Sequence, residues 1–423
     1  MFIEVGVNRL WLMTELEDYK NSRARRHIEK KVRRLTKEVN RLTKEINECK
    51  VEKGDRCRYC GSIFTIKWGR YKRKVRYFLA KARKILVQRF RCLSCKRTFS
   101  FLPEFLMRFR RFAKKALRDI VDAKLSFGSG NRNIGHWSRG YKISHTTLLK
   151  ELRVVGEKCK DALKAMADHF SGVMCVDDIW IKKGRGKYIY GFCAVDGKTE
   201  RVLWVTAYLI DSDQGYTKDD GIKMAVEELS QIILSDVVKF YVTDDDSTLH
   251  STLSDYYPNA KHQLCIFHVK KNIYEKLMPP AKHLKLSSES LQLIDNIMAV
   301  FDASTEEEAM SMLSELYKKR NNYGLKVRKV LKSLWKNREK LFHYIENDIP
   351  KTTDPAEHFF SEVAPIKKLC KSFRGIKGLR SVLTAKALHY NFRERYESKD
   401  GLTPNERAGI ITKMSMYDYI GYP

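Results

Sequence analysis

The sequence predicts a multidomain chain in which a mixed α/β core with a helical insertion follows a basic N-terminal third built of a coiled coil, a cysteine-bearing β-ribbon and a helix-turn-helix. Three observations predict it. Charge is unevenly placed: of the net +31, residues 1–150 carry +27 and residues 151–423 only +4. The hydrophobic pattern changes from helical spacing to β-rich runs at Gly172, and returns to helical spacing after residue 280. Four cysteines stand in two Cys-x-x-Cys pairs within the basic third. With 423 residues, 43% of them hydrophobic, the chain has material for several domains and is no basic tail.

In the first segment (1–52), Ile28, Val32, Leu35, Val39, Leu42 and Ile46 recur at alternating spacings of 4 and 3, and Arg34-Leu-Thr-Lys-Glu38 repeats one heptad later at Arg41-Leu-Thr-Lys-Glu45. This a/d seam predicts a coiled coil and a homodimer or higher oligomer; a single amphipathic helix on its own protein is the alternative. The second segment (53–103) holds Cys57-Arg-Tyr-Cys60 and Cys92-Leu-Ser-Cys95 with 31 residues between the pairs. Four thiolates on two knuckles satisfy a tetrahedral Zn²⁺ and leave no open position, so the zinc is expected to be structural. The intervening aromatic and β-branched residues read as hairpin strands of a zinc ribbon. Between Asp55 and Glu104 lie 15 basic residues and no acidic one. That density needs a polyanion opposite, and nucleic acid is the expected partner. Arg70, Lys72, Arg73 and Lys74 are candidate DNA contacts on the ribbon strands, gripping phosphate without reading sequence.

The third segment (104–170) reads as helices, Phe112 to Phe127 and Ser144 onward, separated by a Gly/Asn-rich turn at residues 128–133. Ser144 suits an N-cap, and the following helix has the form of a recognition helix with His145, Thr146, Thr147 and Lys150 as candidates for base edges. A helical hairpin without groove contacts is the bland alternative.

From 171 to 280 the runs 173–181, 187–195 and 201–210 predict an antiparallel meander. A helix at 218–234, a buried strand at 237–243, a helix at 247–257 and a strand at 262–267 running into a further helix complete a mixed sheet of the ribonuclease H kind. Residues 281–350 lack strand patterning and predict a helical insertion, and a helix starting near Asp354 belongs to the last segment (351–423). Asp177 lies in the first core strand and Asp244 directly follows the fourth, in Thr243-Asp-Asp-Asp-Ser247. Two carboxylates at strand ends, closed over by Glu357, would present oxygen-only ligands suited to Mg²⁺ or Mn²⁺. Two such ions would activate a water or a 3′-hydroxyl and stabilise the leaving oxygen in attack on a phosphodiester. Singly, each Asp reads as a solvated turn residue, and Asp354-Pro-Ala-Glu357 also matches a capping box with Asp354 as N-cap. Trp180, Trp204 and Trp335 read as core residues.

These residues resemble the DDE transposases of prokaryotic insertion sequences, especially the Mutator-like branch. The resemblance rests on Cys175-Val-Asp-Asp-Ile-Trp180, Tyr190-Gly-Phe-Cys-Ala-Val-Asp196, Phe240-Tyr-Val-Thr-Asp244, Leu264-Cys-Ile-Phe-His268, Asp354-Pro-Ala-Glu-His-Phe-Phe-Ser361, His389-Tyr-Asn-Phe-Arg393 and Leu402-Thr-Pro-Asn-Glu-Arg407, which occur in that order. It implies a ribonuclease H-like core whose Asp177, Asp244 and Glu357 bind two metal ions and catalyse DNA cleavage and strand transfer. The family's Cys-x-x-His falls on Cys265 and His268, expected to be structural or DNA-contacting near the site. Where family members place Asn three residues before the Glu and Arg directly after it, this chain has Asp354 and His358; Glu362 is the fallback for the third carboxylate.

The expected partners are the terminal inverted repeats of a mobile element and target DNA. No window approaches the roughly 20 apolar residues of a membrane helix. The N-terminus, with Glu4 inside its short apolar run, lacks a signal-peptide n-region, so a cytoplasmic, nucleoid-associated protein with reduced thiols is expected. The rival functions are a domesticated, non-catalytic DNA-binding regulator and a ribonuclease H-like nuclease without strand transfer.

Overall fold

The computed structural model describes residues 34, 37, 56–76, 82–108, 111–127, 144–184, 187–211, 215–278, 288–369, 375–393, 400–410 and 413–422. The expected coiled coil (apart from Arg34 and Lys37) and the turn at 128–133 lie outside them. The chain divides into two compact units, one formed chiefly by residues up to 120 and the other by residues 121–134 and 145–422.

The first unit holds a three-stranded antiparallel sheet in the order β1 (Thr65–Val75), β2 (Arg83–Cys92), β3 (Thr98–Ser100). The β1–β2 register shifts between Lys67 and Arg70, where Gly69 takes φ +76°, a conformation open to glycine at no steric cost. Successive strand residues point to opposite faces, and β2 uses both. Phe90 and Cys92 pack with Cys57 and Phe99 on one face at the cysteine end. Ile85 and Val87 pack with Val75, Leu106, Ala113 and Ala116 on the other face at the hairpin end. Each face of the ribbon is therefore buried at one end and open at the other.

The next elements are α1 (Lys114–Phe127) and α2 (His145–Ala165). α2 begins directly after Ser144, as the capping pattern predicts. It belongs to the second unit, although the sequence groups it with a separate DNA-binding segment. The reason is its apolar stripe: Leu148, Leu152, Val155, Cys159 and Leu163 are all buried.

The second unit is built on a five-stranded sheet in the order β6-β5-β4-β7-β8, with β4 (Val173–Gly184), β5 (Lys187–Asp196) and β6 (Val202–Asp211) antiparallel and β7 (Phe240–Thr243) and β8 (Lys261–Leu264) parallel to β4. The helices α3 (Lys218–Ser230) and α4 (Ser247–Tyr256) are the crossovers that parallel pairing requires. They cover one face of the sheet, where Ile222, Ala225, Val226, Leu229, Leu249 and Leu253 pack on Met174, Val176, Tyr190 and Phe192.

Two expected strands are shorter than read. Residues 235–237 form a 3₁₀ turn, so β7 starts at Phe240. Cys265 ends β8 and caps α5 (Ile266–Leu277), which turns Ile266 into the insertion's core. A short apolar run does not reveal by periodicity where a strand yields to a helix.

The insertion is helical, as expected: α6 (Ser288–Ala299), α7 (Glu306–Lys318), α8 (Leu325–Lys336) and the short α9 (His343–Glu346) enclose Ile297, Leu313, Leu331 and Leu334. Trp335 packs here, stacked on Tyr317 at 4.7 Å between ring centroids, with the Arg338 guanidinium 4.9 Å from its ring centroid.

α10 (Asp354–Leu369) and α11 (Ile376–Asn391) follow. α11 is buried almost all round, and a Cβ added at Gly156 of α2 would lie 2.6 Å from the Ser381 backbone. Asn391, fully buried, ties α11 to β6 through both its amide atoms, donating to the Val202 carbonyl and accepting from the Val202 N–H. The short helices α12 (Pro404–Arg407) and α13 (Met416–Tyr419) precede the tail, whose Tyr422 hydroxyl donates to Glu151 of α2. Among the described residues no helix is long and apolar enough to cross a membrane.

Candidate active site

The parallel pairing of β4 with β7 places the first two carboxylates. Val173 is opposite Phe240, Met174 opposite Tyr241 and Cys175 opposite Val242. Extending this register by two residues brings Asp177 level with Asp244, on the same side as Cys175 and Val242. Asp244, Asp245 and Asp246 have different surroundings. Asp246 caps α4, accepting from Leu249 N–H at 3.0 Å, and pairs with Lys218 at 2.5 Å. Asp245 is exposed. Asp244 is the residue level with Asp177.

Glu357, in the first turn of α10, is the third carboxylate of this group. It is not held by a capping box on Asp354: α10 already includes Asp354, and the Glu357 Oε1 accepts from the Thr353 hydroxyl at 3.0 Å. Thr353 is fully buried; its N–H donates to Cys265 Sγ at 3.4 Å, and its hydroxyl oxygen lies 3.4 Å from the same sulfur. Cys265 Sγ lies 3.2 Å from His268 Nδ1, which lies 2.5 Å from Asp244 Oδ1. One chain of contacts, Asp244–His268–Cys265–Thr353–Glu357, thus links the second carboxylate to the third. Glu362 is occupied elsewhere, 2.7 Å from Lys386 Nζ.

The electrostatics agree with this grouping. Burial, together with the charges of Asp244, Asp178 and Glu357, pushes Asp177 up to about 7, against one lowering contact, the Asp178 N–H donated to its Oδ1 at 2.8 Å. Asp178 points to the opposite face of β4. Burial raises it to about 6, opposed by Lys218, whose ammonium lies 4.0 Å from its Oδ2 and 5.4 Å from the Trp180 ring. His268 is pulled up to about 10, chiefly by its close contact with Asp244 and then by that with Cys265. The charges of Asp244 and Glu357 oppose the ionisation of Asp177, an opposition that a cation among the three would relieve. Asp177, Asp244 and Glu357 offer oxygens only, which fits Mg²⁺ or Mn²⁺. Asp244, Cys265 and His268 offer ligand atoms within 4.8 Å of one another, and Cys265 additionally contacts Thr353.

Lys218 and Thr353 were not legible as site residues. Lys218 opens a helix marked by the capping box of Thr217 and Asp220, yet nothing in that motif tells that its ammonium reaches Asp178 and Asp246. Thr353 stands one position before a recognisable helix start, and only the fold brings it against Cys265.

In the ribbon, Cys57, Cys60, Cys92 and Cys95 have their sulfurs within 4.8 Å of one another. Cys57 and Cys95, and Cys60 and Cys92, are 3.6 Å apart. Four sulfurs at the Zn–S bond length of ~2.3 Å would stand about 3.8 Å apart, so the cage fits Zn²⁺. The residue after each knuckle, Gly61 at φ +71° and Lys96 at φ +59°, turns through the left-handed region. The N–H groups of Tyr59 and Cys95 donate to Cys57 and Cys92; that of Cys95 is the main influence lowering Cys92 to about 6. Of the ribbon cations, Arg70, Lys72 and Lys74 are exposed on one face, while Arg73 points to the other and donates to the Met107 carbonyl at 2.6 Å. On α2, Thr146 and Lys150 are exposed and Thr147 is half-buried; His145 is placed in the helix only by its backbone.

Comparison with protein families gives three matches. Residues 57–137 match a domain of unknown function (DUF6431), residues 173–272 the MULE transposase domain, and residues 223–393 the Mutator family of transposases. The last two together span more than half of the chain. No curated protein matches the chain.

Proposed function

Because the chain belongs to the Mutator-like transposases, we propose that it binds the ends of a mobile element and catalyses metal-dependent DNA cleavage and strand transfer with Asp177, Asp244 and Glu357 as its catalytic carboxylates. The observation that carries the reading is the extended β4–β7 register. It brings Asp177, within β4, level with Asp244 just beyond the end of β7, with Glu357 near enough to raise Asp177. The strand order β6-β5-β4-β7-β8 supports a ribonuclease H-like core.

Asp177, Asp244 and Glu357 would hold two Mg²⁺ or Mn²⁺ ions, which when bound supply a deprotonated nucleophile and charge for the leaving oxygen. The protein's own groups do the positioning. Thr353 fixes one oxygen of Glu357, and His268 fixes one oxygen of Asp244, leaving each carboxylate another to present. Lys218 offsets part of the charge of Asp178 and Asp246, which lessens the repulsion of the DNA backbone beside the ligands. The zinc ribbon and the segment through α2 grip DNA, and self-association through residues 25–50 would pair two element ends.

The test is a joining assay with Mg²⁺ and DNA from the regions flanking the reading frame. The wild type is expected to cleave and join. Asp177→Ala and Asp244→Ala should abolish both steps while DNA binding persists. Joining that survives in either variant would sink the carboxylate assignment.

A further inference from the structure

The ribbon leaves two open surfaces on opposite faces of one hairpin. The hairpin end is cationic: Arg70, Lys72 and Lys74 of β1 and Lys84 of β2 surround Leu86, all exposed. The cysteine end, on the other face, is apolar. Phe64, Ile66 and Trp68, at alternate positions, are 66%, 40% and 46% exposed. Leu93, whose N–H donates to the Phe64 carbonyl at 2.9 Å, is 44% exposed, and a 2.8 Å contact between the Ser62 and Ser94 hydroxyls holds the two loops together. Arg91, opposite Ile66 in the register, places its guanidinium 4.6 Å over the Trp68 ring.

Large apolar side chains left in water forgo the stabilisation that burial gives, and the ribbon does not lack rings for its core, which Phe90, Phe99 and Phe101 already fill. A contiguous apolar patch of this kind marks an interaction surface. Its surroundings select the partner. No acidic residue occurs between Arg56 and Pro103, so the same face of a second copy would set cation against cation, whereas a polyanion would be held on every side.

We infer that the Phe64–Ile66–Trp68–Leu93 face is a second DNA contact surface, one that enters a groove and packs on bases and sugars while the Arg70–Lys72–Lys74 face holds phosphates. The inference rests on the DNA-binding part of the proposed function and adds to it a division of labour. A two-stranded ribbon fits the width of the major groove, and apolar wedges flanked by arginine are one way proteins contact the interior of a duplex.

The two faces differ in how salt affects them. Each phosphate contact contributes about −0.9 to the slope of log affinity against log salt, and an apolar contact contributes nothing to it. The experiment measures binding of the full-length protein to a labelled duplex from the flanking DNA across a salt series, with zinc content as the check on folding. Phe64→Ala and Trp68→Ala should each weaken binding by about tenfold and leave the slope unchanged. The double variant Lys72→Ala/Lys74→Ala should lower the slope by about 1.8. The inference is overturned if Phe64→Ala and Trp68→Ala both bind as the wild type does with full zinc, if they change the slope as the lysine variant does, or if they alter only self-association. A wild type that binds no duplex would overturn the proposed function along with it.

Discussion

His262 and Asp244 show how burial sets what a single side chain does. His262 is buried beneath the site, its Nε2 2.9 Å from the Thr243 hydroxyl and its ring stacked on Tyr241 and His250. Burial first, then the positive charges of His250, Lys340 and His343, hold it down at about 2. A histidine whose folded value is depressed is protonated more readily in the unfolded chain. Its contribution to stability is therefore complete above about 6.5 and is lost as pH falls toward 2. At pH 4 the loss is roughly 3 kcal/mol. His262→Gln should flatten the acid side of the stability profile, with denaturant unfolding at pH 7 and pH 4 as the measurement; an acid sensitivity equal to the wild type's would assign the effect to other groups. Asp244, two positions beyond Val242, is instead half-exposed and shared between His268 and the position level with Asp177. The sequence singles out Asp244 because it is closest to the strand end, but not what separates it from Asp245 and Asp246. That separation comes from the N-cap duty of Asp246 and from Lys218, contacts that only the fold creates.

Lys218 acts between elements. It leads α3 and reaches Asp178 on β4 and Asp246 at the start of α4, tying together the two segments that carry Asp177 and Asp244. Its side chain is 40% exposed, so as a surface ion pair it contributes at most about 1 kcal/mol to stability. Its effect on activity should be larger than its effect on folding. Lys218→Met is expected to lower the joining rate at saturating Mg²⁺ by at least about tenfold, with unfolding nearly unchanged and DNA binding intact, while Lys218→Arg restores much of the rate. A Lys218→Met protein that joins at the wild-type rate would remove Lys218 from the account. At this scale the sequence is most legible where periodicity is strong. The meander, the crossover helices and the helical insertion follow their patterns, whereas β7 and β8 are shorter than read because their apolar runs continue into a 3₁₀ turn and into α5. The membership of α2 in the second unit was not legible, since an amphipathic helix does not announce which core its stripe will face.

Across the whole molecule, charge and chemistry are segregated. The +27 of residues 1–150 includes the ribbon, with Arg70, Lys72 and Lys74 at its hairpin end, and the nearly neutral remainder carries the carboxylates. The cysteine spacing makes the cage legible in the sequence, because two knuckles of fixed length are the pattern that brings four sulfurs together as tetrahedral ligands. The exposed aromatic face was not legible, because the strand pattern that predicts a hairpin does not say which of its faces stays open. The assignment of Glu357 over Glu362 likewise needed the fold, in which Glu362 faces Lys386 and Glu357 meets Thr353.

The claim on which the account depends is that Asp177, Asp244 and Glu357 form one divalent-cation site. Calorimetric titration of the purified protein with Mn²⁺ tests it directly and requires no knowledge of the element's ends. The account predicts that the wild type and Glu362→Gln bind Mn²⁺ alike, and that Asp177→Asn, Asp244→Asn and Glu357→Gln each bind it at least about tenfold more weakly. Unchanged Mn²⁺ binding in those three variants would contradict it.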